Sequence, residues 1–463
     1  MRSERLPQLR DDKLATAGRG WLGKAQRRDS RSRAPRELLR KVIAALRFTD
    51  LVSSVDRQRD PARLLASSWL PAALGLISAA AAIWIAIAAA SRPLVDFDVY
   101  RMGAGLVLGP RLYDVRLAPL PLHFTYPPFA AMLFWPFTLL PVQVGQLVWS
   151  LLNLVMLMAL TAISIRAARR DWSQQQIWVT AAIVLFPALW LSPNLLTLDF
   201  GQVNFLIALL ILLDLTSVIK VGSHTLPRGV LLGVAAALKL TPLIFVPFLL
   251  LTRQFRAGLT ALGTFLVCSL GAFAITPQSS LLYWSDEIFD AKRPGNLLFV
   301  SDQNLHSALQ RIMRAPSTPI LLYSSTLLVA VGGLAVASWA YRMSSQMLGI
   351  LLCAATGLII SPVSWSHHYV WIVPLLVWLA LAADRPRRAR LWALGAAALF
   401  WAAPIWWVPD PQRGYGGPLV LLAGNSYVLA AMAFLFLAVV LLWCRHRANP
   451  EVPTMPHAAG HDH

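Results

Sequence analysis

Leu70–Ala90 reads LPAALGLISAAAAIWIAIAAA, and four residues later Val95–Tyr100 reads VDFDVY. The first stretch holds no charged residue and is long enough to cross the hydrocarbon core of a bilayer as a helix. The second sets two carboxylates, Asp96 and Asp98, within eight residues of its end. Acids against a lipid boundary are costly, and a membrane protein keeps them where they anchor the fold or move protons. The same pattern recurs down the chain, with polar clusters at the ends or breaks of apolar segments.

Composition sets the class. Of the 463 residues 57% are hydrophobic and 14% charged, against roughly a quarter charged in soluble domains. With 18 Trp and repeated uncharged runs, the chain reads as an all-α polytopic membrane protein. The formal charge of +19 is uneven, and residues 1–63 hold 17 Lys/Arg against 8 Asp/Glu. A basic tail before a first span follows the positive-inside rule and can touch anionic lipid. No aromatic-interleaved motif or zinc spacing accompanies it, so nucleic acid is not an expected partner. The segment is too polar and too long for a cleavable signal peptide. Residues 1–63 are therefore read as a cytoplasmic tail, 64–445 as one membrane unit, and 446–463 as a second tail. Cys268, Cys353 and Cys444 are scattered through apolar sequence and suggest neither a disulfide framework nor a metal site.

Loop charge orients the spans. Arg166/Arg169/Arg170, Lys220/Arg228, Arg253/Arg256, Arg385/Arg387/Arg388/Arg390 and Arg445/Arg447 all fall on one side if about ten full spans run between residues 67 and 443. Two segments depart from simple crossing. Residues 129–140 are too short to span and carry prolines around them, which makes them re-entrant or interfacial. Residues 229–252 hold Leu238-Lys239-Leu240-Thr241-Pro242 at their centre. Proline disfavours an uninterrupted helix, and two half-helices folded there keep Arg253 on the basic side. Broken and re-entrant pieces bring the expected total to ten to twelve helices.

This topology gathers the Asp96 cluster, Tyr126-Pro-Pro, Asp199-Phe-Gly-Gln-Val-Asn204, Ser301-Asp-Gln-Asn304 and Trp365-Ser-His-His368 at the opposite face. Polar groups converging on one face of an apolar bundle describe a site. Asp96 or Asp98 suits a general base, the alternative being a cap for a helix starting near Val99. Gln202 and Asn204 can bind sugar hydroxyls or cap a helix. Lys239, inside 24 otherwise uncharged residues, needs a partner; a lipid phosphate suits it, as does snorkelling to the interface. Arg101 can pair with either acid or contact a phosphate. His367 and His368 can donate to a phosphate, and adjacent histidines on one helix do not both face a site. Asp286, Glu287, Asp290 and Asp302 read as solvated charges of the largest loop.

Over about 67–445 the chain resembles the actinobacterial polyprenyl-phosphate-mannose-dependent α-1,2-mannosyltransferases, integral-membrane enzymes of the GT-C fold in glycosyltransferase family 87. The resemblance rests on Val95–Tyr100, Phe124-Thr-Tyr126-Pro-Pro-Phe-Ala, Phe200-Gly-Gln202-Val-Asn204, Gly233 to Pro242 and Ser361 to His368, in that order and spacing. It implies inverting transfer of mannose from polyprenyl-phosphate-mannose to a mannolipid or lipoglycan. Phosphatidylinositol mannosides, lipomannan and lipoarabinomannan are the acceptors it implies. The family's catalytic aspartate falls on Asp96. Asp98 looks like the lipomannan-branching subgroup, while Asp302-Gln-Asn304 departs from the family's Asn-Gln-Ser stretch. Lys239, His367, His368 or Arg101 would stabilise the leaving phosphate. Asp98, Tyr100, Tyr126, Gln202, Asn204 and Trp365 would contact acceptor or sugar. No metal or other cofactor is required, because protein cations can serve. The resemblance places the enzyme in the plasma membrane with its site on the outer face. A flippase of lipid-linked sugar, which would also use broken helices, is the competing class, and a structural subunit of the cell envelope the third.

Overall fold

The computed structural model describes residues 92–448 apart from 118–121, 218, 222, 291–295, 297, 315–317, 344, 383–386 and 409–416, together with part of 75–88. The tails at 1–63 and 449–463, and much of the first apolar stretch, lie outside the described residues. Where that stretch is described it is helical, and Ser78 Oγ donates to the carbonyl oxygen of Ala182 at 2.8 Å.

The helices in chain order are α1 (Val95–Leu106), α2 (Pro128–Phe134), α3 (Val142–Ala168), α4 (Gln174–Leu189), α5 (Ser192–Phe200) and α6 (Asn204–Thr216). Next come α7 (Val230–Leu238), α8 (Phe245–Leu251), α9 (Phe255–Ile275), α10 (Pro277–Ser285), α11 (Leu305–Met313) and α12 (Pro319–Met343). The last are α13 (Gln346–Ile360), α14 (Ile372–Leu381), α15 (Arg387–Ala402), α16 (Pro418–Gly424) and α17 (Ser426–Ala448). Two antiparallel ribbons, Arg116–Leu117 with Leu122–His123 and Lys220–Val221 with His224–Thr225, close short loops.

Among the described residues five helices are long and apolar enough to cross a membrane: α3, α9, α12, α15 with its extension to Trp407, and α17. The 27 residues of α3 rise about 40 Å. Helices α9 and α12 show lipid-like faces, with Val267, Leu270, Ile320 and Leu328 at least 65% exposed. In α3 Val155 likewise points outward, while Gln146, Ser150, Asn153, Thr161 and Ser164 are buried. Thr161 and Ser164 satisfy themselves on the carbonyls of Leu157 and Leu160, at 2.8 and 2.6 Å, the usual solution for hydroxyls inside an apolar helix bundle.

Among the described residues fewer straight spans are present than the ten expected of the whole chain. The stretches near 205–220, 346–361 and 369–383 form helices of 13, 15 and 10 residues, short of the ~20 a straight crossing needs. Polar turns cut them and pack them inside the bundle, where α13 is buried along most of its length. The expected turn at 192–204 is itself mostly helix. Pro193 in its first turn favours a helix start, and α5 leaves α4 at 83°.

The break at Lys239 is a hairpin. Gly229, before α7, sits beside Ala257 at the start of α9, and Leu249 and Leu250, at the end of α8, sit beside Gly258. Both ends of the pair therefore share one level. Gly229 has φ +102°, and a Cβ there would lie 2.2 Å from the Ala257 carbonyl oxygen, so only glycine fits. Lys239 itself is extended between α7 and a 3₁₀ turn at Thr241–Ile244. Asp214 Oδ2 accepts from Gly229 N at 2.7 Å, an acid from α6 capping α7.

The basic loops meet at the same end as the hairpin's two termini. Arg170 donates to Gln346 Oε1 at 3.4 Å, Gln346 and Arg228 both donate to the Leu215 carbonyl oxygen at 2.6 and 3.1 Å, and Arg342 donates to that of Leu251. The polar turns of the candidate site gather at the other end.

Candidate active site

The site begins with α1. The helix starts at Val95, with Leu94 as N-cap and both acids in the first turn, where the positive end of the helix favours them. Neither acid caps a later helix. Helical geometry separates them and pairs Asp96 with Tyr100, four residues on.

Gly201 ends α5 in a left-handed conformation (φ +68°), and a Cβ on it would lie 2.8 Å from that of Phe97. Trp149 Nε1 donates to the Gly201 carbonyl oxygen at 2.7 Å. This close approach delivers the next residue, Gln202, to α1. Its Nε2 donates to Asp96 Oδ2 at 2.7 Å. Its Oε1 accepts from the hydroxyls of Tyr100 at 2.8 Å and Tyr126 at 3.2 Å. The two hydroxyls are 3.0 Å apart, and Tyr113 donates to the Tyr126 carbonyl oxygen at 2.8 Å. Two phenol donors fix the amide's orientation, so its NH₂ must face the carboxylate. Asp96 Oδ1 takes no protein hydrogen bond among the described residues.

Opposite stands Lys239 at the hairpin tip. Its Nζ lies 2.8 Å from His368 Nε2 and 5.4 Å from the centre of the Tyr126 ring. With Lys239 as an ammonium, which only donates, His368 Nε2 is the acceptor of this pair. Asp96 and Lys239 attract each other electrostatically. Burial nevertheless pushes the Asp96 carboxyl up to about 6, with the Gln202 hydrogen bond and Lys239 opposing the rise. A base that titrates near neutrality is well matched to accepting a hydroxyl proton.

His367 is buried, and among the described residues neither of its ring nitrogens has a protein partner. Its ring stands edge-on to Phe200 and His368. The backbone of His367 is fixed from α5 and α6: its carbonyl oxygen accepts from Thr197 Oγ1 at 3.1 Å and Asn204 Nδ2 at 2.9 Å. Asn204 thus positions the histidine turn. A cleft lined by Asn204, Lys239, Thr241, Pro242, His368 and Trp371 opens beside these groups.

Three expected site residues lie apart. Asp98 takes the Gln146 amide at 3.0 and 3.2 Å on another side of α1. Arg101 donates to the carbonyl oxygens of Phe137 and Leu140 at 3.1 and 2.8 Å, holding the end of the Pro128–Leu139 segment instead of facing a phosphate. Trp365 stacks obliquely on Phe299 and pairs its backbone with Asp302.

Asp302 is a correction. It reads as a solvated charge but is fully buried, while Asp286 and Asp290 are exposed. Its Oδ1 accepts from Ser364 N at 2.8 Å and Asn304 Nδ2 at 3.1 Å, and its Oδ2 from Ser307 Oγ at 2.8 Å. Gln303 N donates to Ser364 O and Ser366 N to Ser301 O, each at 2.7 Å. Buried Arg311 donates to the Asp302 carbonyl oxygen at 2.7 Å and to Asn425 Oδ1 at 2.9 Å. The sequence signal was available: Asn304 caps an amphipathic helix through Ser307 N at 2.7 Å, which places the preceding residues against the bundle. Among the described residues no group of three or more His, Cys, Asp or Glu is gathered as metal ligands would be.

The sequence profile of glycosyltransferase family 87 matches residues 124–362, from Phe124 beside the tyrosine pair to the turn before the histidines. A polyprenol-phosphate-mannose-dependent α-(1-2)-phosphatidylinositol mannoside mannosyltransferase of Mycobacterium tuberculosis is 33% identical over 76% of the chain and 86% of its own length. This chain belongs to glycosyltransferase family 87. A second M. tuberculosis relative of the family type, named a phosphatidylinositol pentamannoside mannosyltransferase with the same donor and linkage, is 30% identical over 86% of the chain and 94% of its length. An α-(1->3)-arabinofuranosyltransferase of Mycolicibacterium smegmatis is 28% identical over 40% of the chain and 42% of its own. No solved structure matches the chain significantly. Membership of family 87 accords with the helical membrane architecture.

Proposed function

We propose that the protein transfers mannose from polyprenyl-phosphate-mannose to a phosphatidylinositol mannoside, forming an α-1,2 linkage with inversion. The carrying observation is the Asp96 carboxylate, oriented by Gln202 with one oxygen open, facing the Lys239–His368 pair. The names of the two M. tuberculosis relatives support donor, linkage and acceptor class. Lipomannan and lipoarabinomannan are the other acceptors of the same chemistry.

The step is a single displacement. An acceptor hydroxyl oxygen bonds to the anomeric carbon as the bond from that carbon to the phosphate oxygen breaks. The hydroxyl proton passes to Asp96, and the polyprenyl phosphate leaves as an anion. One carboxylate at the attacking face suffices for inversion. Lys239 meets the developing phosphate charge, helped by His367 or His368; Tyr100, Tyr126 and Gln202 hold the base. The catalytic unit is taken as 64–445, between tails at 1–63 and 446–463. The clustering of basic loops at the opposite end supports a site on the outer face of the plasma membrane.

Purified protein given radiolabelled polyprenyl-phosphate-mannose and a phosphatidylinositol mannoside should form a longer mannolipid. Asp96→Asn should lower turnover about 10²–10⁴-fold, the contribution of a positioned base, with donor binding intact. Unchanged turnover in that variant removes Asp96 from the chemistry; no new mannolipid with any acceptor class removes the proposal.

A further inference from the structure

Lys239 Nζ and His368 Nε2 meet at 2.8 Å across 129 residues of chain. A lysine is a point charge on a flexible four-carbon stem, and holding that stem in one rotamer costs entropy. Lys239 is extended at the hairpin tip, between α7 and the 3₁₀ turn at Thr241–Ile244, so its stem leaves a break in the chain and not the face of a helix. Two contacts fix the ammonium there. One is the His368 nitrogen; the other is the Tyr126 ring, whose centre is 5.4 Å from Nζ, within the reach of a cation–π attraction.

His368 is in turn held from several elements. Its backbone N–H donates to the Trp365 carbonyl oxygen at 2.8 Å, and its ring packs edge-on to that of His367, with centres 4.9 Å apart. The turn is tied to α5 and α6 through the His367 carbonyl oxygen, and to the large loop through Ser366 N and Ser301 O. An ammonium has three N–H donors. Among the described residues His368 takes one of those of Lys239, which leaves two for an oxyanion in the cleft that Lys239, His368, Asn204 and Thr241 line. A protonated His368 would set a second positive charge against the first, an unfavourable pairing, so the imidazole serves Lys239 with its lone pair.

We propose that His368 is a positioning residue: its Nε2 aims the Lys239 ammonium at the donor's phosphate and does not itself bind that phosphate. The role rests on Lys239 meeting the leaving phosphate, and assigns how that charge is held. Whatever His368 contributes to mannose transfer then passes through Lys239. Two side chains that act through one contact are coupled, and the coupling is read in a double-mutant cycle.

The cycle is run on the full chain in detergent, with polyprenyl-phosphate-mannose and a phosphatidylinositol mannoside as substrates and kcat/KM as the readout. Lys239→Met should lower kcat/KM about 10²–10³-fold, as loss of one group that stabilises transition-state charge does. His368→Asn stays polar, but its amide stops at the level of Nδ1; it should cost roughly tenfold to a hundredfold, the range of coupled contacts. His368→Gln, whose amide oxygen reaches the place of Nε2, should recover most of that loss. In the Lys239→Met background His368→Asn should cost nothing further. If His368→Asn fails to fold, His368→Leu carries the same cycle. An impaired Lys239→Met in which the His368 substitution still costs its full factor overturns the positioning role alone and makes His368 a direct phosphate contact. Equal activity of His368→Asn and His368→Gln also overturns it. Lys239→Met as active as the wild type removes Lys239 from the leaving-group step, and the role of His368 with it.

Discussion

At residue scale the candidate site turns on one amide. Gln202 spends its oxygen on two phenols and its NH₂ on Asp96, and this hydrogen bond lowers a carboxyl pKa that burial raises to about 6. A base must be unprotonated to act, so kcat/KM should fall on the acid side with a limb near pH 6, above the ordinary carboxylate range. Gln202→Leu removes a stabiliser of the charged form, so that limb should move to higher pH while turnover drops. Lys239→Met removes an attracting charge from Asp96 and should move it in the same direction. Tyr100 and Tyr126, the other groups facing the carboxylate, stay neutral across this range. A pH–rate profile with an unmoved acid limb in both variants would mean that Asp96 is not the group titrating.

At element scale the hairpin of α7 and α8 decides where Lys239 stands. Proline and lysine in the middle of an apolar stretch announce a break in the sequence; the level of its two ends on α9 comes from packing at Gly229 and Gly258. Gly229→Ala puts a Cβ against the Ala257 carbonyl oxygen at an unfavourable φ. The strain alone costs about 1–3 kcal/mol, and the clash adds to it. Unfolding of the purified variant in detergent should show a lower midpoint; an equal midpoint would show that the α7–α9 contact is looser than described. The element α5 was hidden for a different reason. It is short, mixes polar Ser192, Asn194, Thr197 and Asp199 with apolar residues, and is bounded by Pro193 and Gly201, so it reads as a turn; the structure shows a helix closed by the left-handed cap at Gly201 and set at 83° to α4.

At the scale of the whole molecule, Asp302, Gln303 and Arg311 join the large loop to the histidine turn and to α17. Gln303 Nε2 donates to the Gly424 carbonyl oxygen at 2.7 Å, while its Oε1 accepts from Tyr427 N at 3.1 Å. These contacts link segments more than a hundred residues apart, so nothing local in the sequence marks them. Asp302→Asn replaces one acceptor with a donor where Ser364 N, Asn304 Nδ2 and Ser307 Oγ all donate. One buried group is then left unpaired, at a cost of about 1–3 kcal/mol. Limited proteolysis should cut the 286–303 loop faster in this variant, and mannose transfer should fall although Asp96 is untouched. Unchanged cleavage and turnover together would show that the loop does not hold the turn.

The sequence by itself determined the class of the molecule, because uncharged runs of some 20 residues have no other solvent than lipid. It also determined which loops share an end, since basic residues cluster there, and which motifs carry the likeness to family 87. It marked Asp96, Gln202, Lys239 and His368 singly. Only the tertiary structure decided that these four meet, that Asp98 and Arg101 serve Gln146 and the end of the 128–140 segment, and that Asp302 is interior. The physical reason is that a side chain's partner in a bundle depends on helix rotation and bend. Those are set by close contacts such as Gly201 on Phe97 and Gly229 on Ala257, between residues far apart in the chain.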